Sequence, residues 1–180
     1  MNTTIQVKDK RFSLSIKAED IQKEVCRVAD EINRDFADKN PLFISILNGS
    51  FMFTSDLLRR ITIPCQVSFV KLSSYEGTGS TGVIKEVVGL TEDIAGRAVI
   101  IVEDIVDTGL TMKQTLRTLG ALNPESIHIA TLLLKPDKLK VDLDINYVAM
   151  KIPNDFIVGY GLDYDGYGRN YADIYTLAEE

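Results

Sequence analysis

Residues 18 to 37 carry apolar side chains at helical spacing. Ile21, Val25, Val28 and Ile32 share one face, and Glu19 and Asp20 stand near the start, where acids suit the helix dipole. Leu42 to Leu47 is a short continuous apolar run that stops at Asn48-Gly49-Ser50, which predicts a buried strand ending in a tight turn, with a helix to about Leu58 after it. Val67 to Leu72, Ala98 to Val102 and Ile127 to Leu134 are further strand candidates, residues 156 to 159 form a short one, and a helical stretch runs from about Thr111 to Leu119. Strands alternating with helices predict an α/β domain with a mainly parallel central sheet flanked by helices. In such sheets ligands bind beyond the carboxyl ends of the strands, so the turns after Leu47, Val102 and Leu134 are the places to look. Residues 73 to 82 hold three glycines and almost no core-forming side chains, the pattern of a mobile loop.

Composition narrows the picture modestly. A length of 180 residues with 45% hydrophobic positions suits one domain spanning residues 1 to 180. The net charge of −6 disfavours general nucleic-acid binding, which depends on cationic contacts to phosphate. Cys26 and Cys65 lack metal-type spacing and are expected to stay free thiols in a reducing compartment. No apolar stretch resembles a signal peptide or a membrane span, which leads to the expectation of a cytoplasmic protein without a membrane partner. With His128 the only histidine, and lying in a β-like run, acid–base work is expected of carboxylates or lysine.

The most informative segment is Val99-Ile-Ile-Val-Glu-Asp-Ile-Val-Asp-Thr-Gly-Leu-Thr111. An apolar strand runs into Glu103-Asp104, then Asp107-Thr108-Gly109, then a helix. Such a turn aims backbone N–H groups at one point, and with the Thr108 and Thr111 hydroxyls and a helix N-terminus behind it makes an anion site. Gly109 allows close backbone approach. Carboxylates repel an anion unless each has another task. Adjacent acids can hold ribose hydroxyls, directly or through Mg²⁺ and its waters, and a third can take a proton. The residue types therefore suggest a phosphorylated sugar. The alternative, acids that only cap the helix, suits one Asp better than three.

This string resembles the motif by which type I phosphoribosyltransferases bind phosphoribosyl pyrophosphate (PRPP), and the P-loop string Gly-x-x-x-x-Gly-Lys-Ser/Thr is absent. From the Leu47 turn to Arg169 the chain resembles the hypoxanthine–guanine branch of that family. The resemblance implies a small hood built from chain-terminal segments over the sheet. It implies that Glu103 and Asp104 hold the ribose hydroxyls and that Asp107, Thr108, Gly109, Leu110 and Thr111 wrap the 5′-phosphate, with Asp107 also the base near purine N7. It implies that Lys135, at the end of the run Ile129 to Leu134, donates to a purine 6-oxo group. Without the resemblance Lys135 reads as a solvated lysine before Pro136, and Phe156 as a core side chain; with it, Phe156 stacks on the base and Ile157 offers backbone contacts.

The same resemblance places pyrophosphate against Asn48, Gly49, Ser74, Tyr75 and Arg169, and Mg²⁺ against Glu103, Asp104 and Asp163. Many relatives carry Lys where this chain has Asn48, which puts a side-chain charge contribution there in doubt. The implied reaction joins PRPP to N9 of hypoxanthine or guanine, giving IMP or GMP and pyrophosphate, in a homo-oligomer that is a dimer or tetramer. Two rivals stay open at this stage. One is a xanthine-preferring transferase, since xanthine also has a 6-oxo group. The other is a non-catalytic PRPP-responsive regulator acting on nucleic acid.

Overall fold

A computed structural model describes residues 3–74 and 84–178. Its main sheet has six strands in the order β5-β4-β3-β6-β7-β8, formed by β3 (Leu42–Leu47), β4 (Gln66–Ser74), β5 (Ile84–Val88), β6 (Ala98–Val106), β7 (Ser126–Leu134) and β8 (Tyr147–Lys151). All neighbours pair in parallel except β4 and β5. The continuous apolar runs of β3, β6 and β7 have a simple cause: the sheet is covered on both faces. Phe43, Ile100 and Val102 pack with Ile21, Val25, Val28 and Ile32 of α1 (Ala18–Asp35) and with Phe53 and Leu57 of α2 (Phe51–Leu58). Alternate residues of the same strands, among them Leu42, Ile44, Val99 and Ile101, face Met112 and Leu119 of α3 (Leu110–Gly120).

A second sheet, order β1-β2-β10-β9, is antiparallel and joins the two ends of the chain: β1 (Thr4–Val7) and β2 (Lys10–Ile16) with β9 (Ile157–Val158) and β10 (Ile174–Leu177). This is the expected hood, with its own apolar cluster of Ile5, Val7, Phe12, Val158 and Tyr175. The hydrophobic pattern did not announce β1, β2, β5, β8 or β10.

The central strand departs from expectation in a way that makes the site. β6 does not stop at Val102 but continues through Glu103 and Asp104 to Val106, because β7 pairs with it as far as Val106↔Leu134. Its pairing with β3 ends at Ser45↔Val102. From Glu103 onward β6 therefore has a neighbour on one side only. The chain leaves β3 towards β4 and leaves β6 towards β7, in opposite directions, so the gap beyond their carboxyl ends is a topological switch point. Among the described residues no helix is long and apolar enough to cross a membrane.

Candidate active site

The gap between β3 and β6 is closed by contact of backbone with carboxylate. Gly49 is buried, and a Cβ at this position would overlap the Asp104 carboxylate. Gly161, at φ +97°, is packed so tightly that a Cβ on it would overlap the Gly49 carbonyl oxygen. Three segments distant in sequence thus meet at atoms no side chain separates: the turn after β3, the end of β6 and the loop after β9. Asn48 is exposed beside them, and the Leu47–Asn48 peptide is cis.

Glu103 and Asp104 are half-buried at the open edge of β6. Burial pushes the Glu103 carboxyl well above the ordinary glutamate value, and the neighbouring Asp104 charge adds to this. Burial also raises Asp104, while hydrogen bonds and the Arg169 guanidinium act in the opposite sense. The Asp104 carboxylate is held by the Ile105 N–H, which donates to Oδ1 at 2.8 Å.

After Val106 the chain turns into α3 through Asp107, Thr108 and Gly109. Gly109 is the N-cap of α3 at φ +76°, a conformation that favours glycine, and α3 has no side-chain cap. The Leu110 N–H makes a long bond to Thr108 Oγ1 at 3.4 Å, and the next N–H groups, of Thr111 and Met112, are left open to a ligand. A cavity of about 100 Å³ lies here, lined by Glu103, Val106, Asp107, Thr108, Gly109 and Thr111. Leu110 and Thr111 open the helix on its exposed side.

Asp107 has two unlike oxygens. Lys138 Nζ donates to Oδ2 at 2.7 Å, and Oδ1 is buried without a hydrogen-bond partner. Lys138 was not among the residues the motif pointed to. Lys135 is 7% exposed, and its ammonium donates to the Asp155 carbonyl at 2.6 Å. Burial lowers the Lys135 pKa below the ordinary 10.5; Asp107 opposes that shift and Lys138 reinforces it. A lysine this buried is not a solvated residue before Pro136.

Phe156 follows Asp155 directly. It is 46% exposed, so it is not the core side chain its position suggested, and it lies edge-on to Tyr164 with ring centroids 5.8 Å apart. Ile157 is buried in β9 and pairs with Thr176. Ser74 ends β4, and Tyr75 lies outside the described residues, as does most of the expected loop at 73 to 82.

Asp163, expected as a metal ligand, has both oxygens engaged. Its Oδ1 pairs with Arg169 Nη2 at 2.7 Å and its Oδ2 accepts from the Gly166 N–H at 2.6 Å. Arg169 Nη1 donates to the Gly161 carbonyl at 2.7 Å, so one guanidinium ties the loop from 161 to 169 into a single unit. Among the described residues no group of three or more His, Cys, Asp or Glu side chains converges as a metal site. Tyr160, at φ +46°, sends its hydroxyl to Asp56 Oδ2 of α2 at 2.7 Å and so anchors this loop to the helix that follows the Gly49 turn. The sequence assigned no role to Tyr160 or Gly161, because their partners lie about a hundred residues away.

A site combining an acid pair, an open helix N-terminus and a buried lysine fits a phosphorylated sugar and a polar base. Comparison with known proteins agrees. The sequence model of the phosphoribosyl transferase domain matches residues 15–165, and the chain belongs to that family. Its relatives include proteins named hypoxanthine-guanine phosphoribosyltransferase. That of Mycobacterium bovis is 42% identical over 172 residues, covering 92% of this chain and 85% of the relative, and that of Aquifex aeolicus is 37% identical over 176 residues, covering 97% and 99%. The crystal structure of a hypoxanthine phosphoribosyltransferase from Staphylococcus aureus superposes with a TM-score of 0.86 at 39% identity, covering 92% of this chain and 91% of the other.

Proposed function

We propose that this enzyme transfers the 5-phosphoribosyl group of PRPP to N9 of hypoxanthine or guanine in the cytoplasm, where free thiols at Cys26 and Cys65 persist. One observation carries the choice of base: the buried Lys135 ammonium donates to the carbonyl of Asp155, the residue immediately before the exposed Phe156. A cation at that point favours an oxo acceptor over the amino group of adenine. Phe156 supplies a flat apolar face for the ring, and Ile157 offers backbone contacts at its edge.

In this reading Asp107, Thr108, Gly109, Leu110 and Thr111 hold the 5′-phosphate at the α3 N-terminus, and Glu103 and Asp104 hold the ribose hydroxyls. Pyrophosphate lies by Asn48, Gly49 and Arg169, with Ser74 and Tyr75 as further contacts. The bond from C1′ to the pyrophosphate oxygen breaks with its electron pair leaving on pyrophosphate. N9 then forms the new bond to C1′, and the N7 proton passes to Asp107. The carboxylates beside the ribose give a field that favours positive charge at C1′ and the ring oxygen.

Magnesium belongs to the proposal. Glu103 and Asp104 would hold such an ion, since two adjacent half-buried carboxyls at the open edge of β6 repel one another and a nearby divalent cation offsets that repulsion. PRPP oxygens and water would be further ligands, with Asp163, whose Oδ1 is paired with Arg169, as the third carboxylate. When bound, the ion would offset the charge on pyrophosphate and improve it as a leaving group. Homo-oligomerisation belongs to it as well: Val67 and Phe69, 39% and 45% exposed on one face of β4, offer apolar surface to a second copy.

The test is PRPP-dependent nucleotide formation with Mg²⁺, run in parallel on hypoxanthine, guanine, xanthine, adenine and uracil. Rapid turnover of hypoxanthine or guanine alone is expected, whereas preference for another base overturns the purine pocket. Lys135→Ala should lower kcat/KM for both 6-oxopurines by roughly ten- to a hundredfold, the worth of one hydrogen bond from a charged donor. An unchanged base preference in that variant would remove Lys135 from the pocket.

A further inference from the structure

Phe156 stands just before β9, and its carbonyl accepts from the Leu177 N–H at 2.8 Å. Its backbone is thus fixed in the hood while nearly half of the residue faces solvent. An exposed side chain changes rotamer quickly unless neighbours hold it, and a ring that stacks on a base needs a defined plane. Two aromatic rings meet it. Phe12 of β2 is fully buried, with its centroid 6.1 Å away, and Tyr164 lies edge-on at 5.8 Å, its plane 89° from that of Phe156. Phe12 and Tyr164 are 6.3 Å apart, so the three rings close a triangle.

Phe12 is held by its strand, whereas Tyr164 sits on a loop. Its place there comes from two hairpin tips in contact. In the first, Lys8 and Asp9 join β1 to β2, with Lys8 at φ +52°. In the second, Tyr164 and Tyr167 exchange backbone hydrogen bonds at 2.9 and 3.0 Å around Asp165 and Gly166. These two residues lie at φ +51° and +84°, the left-handed pair that a two-residue hairpin turn favours. Between the tips the Tyr164 hydroxyl donates to Asp9 Oδ1 at 3.0 Å, Lys8 pairs with Asp165, and Lys10 Nζ stands 5.7 Å from the centre of the Tyr164 ring. The hydroxyl bond draws the Asp9 carboxyl below its ordinary value, so the acceptor is a carboxylate.

We infer that Tyr164 is a positioning residue for base binding: anchored through its hydroxyl to Asp9 at the β1–β2 turn, its ring edge fixes the plane of Phe156 on which the purine stacks. The inference rests on the reading of Phe156 as the base platform. It gives the first hairpin of the chain a part in recognising the base, although Asp9 and Tyr164 are 155 positions apart. Tyr164 acts through Phe156. Stacking holds the base alike before and during transfer, so its loss falls on KM for the base and not on kcat. PRPP, held at the carboxyl end of β6 and the start of α3, depends on neither hairpin tip.

The experiment measures kcat and the separate KM values for hypoxanthine and PRPP in Tyr164→Leu, Tyr164→Phe, Asp9→Ala and Phe156→Leu, with thermal unfolding as the control for folding. Tyr164→Leu should raise KM for hypoxanthine roughly two- to tenfold, the worth of one edge-to-face aromatic pair, with kcat and KM for PRPP nearly unchanged. Tyr164→Phe keeps the ring edge and should recover most of that loss. The remainder should match the effect of Asp9→Ala, and the two together should do no more than either, since both remove the same bond. In the Phe156→Leu background Tyr164→Leu should add almost nothing. A parental KM for hypoxanthine in Phe156→Leu overturns the platform reading and this inference together. A raised KM in Phe156→Leu with a parental one in Tyr164→Leu overturns the inference alone. Full additivity of Tyr164→Leu with Phe156→Leu, or a loss shared equally by hypoxanthine and PRPP, also overturns it. If Tyr164→Leu does not fold, Tyr164→Phe and Asp9→Ala carry the same test: a raised KM for hypoxanthine in both supports the inference, and a parental one in both overturns it.

Discussion

Asp107→Asn is expected to lower kcat by about 10²- to 10⁴-fold, the usual contribution of a positioned proton acceptor, while IMP and GMP still bind. The reasoning follows from the two oxygens. Asparagine keeps the size of the side chain, and its amide oxygen can face Lys138 where Oδ2 stood. Its NH₂ group has no basic lone pair and cannot take the N7 proton. In the free base N7 carries a proton, and an NH₂ group meets it donor against donor. In the product nucleotide N7 is a bare lone pair, and the same NH₂ group can donate to it. Turnover and nucleotide affinity should therefore separate. Kinetics gives the first and calorimetric titration with IMP gives the second. Equal losses in both would show that Asp107 shapes the pocket without handling the proton.

Gly49→Ala should be severely damaging to activity. The backbone of Gly49 is not in the left-handed region, so alanine meets no conformational penalty there. The obstacle is the Asp104 carboxylate, which occupies the space a Cβ requires. That carboxylate is short, and the Ile105 N–H holds its other oxygen, so it must break this bond and turn away or push the turn aside. The Gly49 carbonyl has no more room, since Gly161 is packed against it. A displacement of about 1 Å in a group that positions substrate costs on the order of a hundredfold in rate, and kcat/KM for PRPP should fall by at least that. Far-ultraviolet circular dichroism should be unchanged, because β3 and α2 keep their pairing and packing. A variant with parental kcat/KM would mean that Asp104 does not hold the ribose. The pair with Asp104→Ala removes the clash but not the loss, and so separates crowding from chemistry.

Much of this was legible in the chain itself. Leu42–Leu47, α3 and β7 lie within a residue or so of their expected limits, because strand and helix periods are local and a sheet covered on both faces writes continuous apolar runs. The PRPP motif was legible for the same reason: its acids, threonines and glycine are consecutive in sequence, so their order already specifies a strand, a turn and a helix N-terminus. What local order did not determine depends on partners far along the chain. β6 runs on through Glu103 and Asp104 because β7 pairs with it there, and a strand reading based on apolar residues stops at the first acid. The hood strands are short and interrupted by polar residues, and they acquire meaning only when Lys10–Ile16 meets Ile174–Leu177 across the length of the chain.

The site divides in the same way. Residue types alone pointed to a phosphorylated sugar, and resemblance carried that to a base and a metal. Tertiary structure alone decided which groups are engaged. It turned Asp163 towards Arg169, exposed Phe156, buried Lys135, set Gly49 against Asp104, and placed Lys138, 31 positions further along, on one oxygen of Asp107 while leaving the other bare. The physical reason is that a side chain's chemistry is written in its residue, whereas its solvation, its partner and the atom it presents are properties of the packing around it.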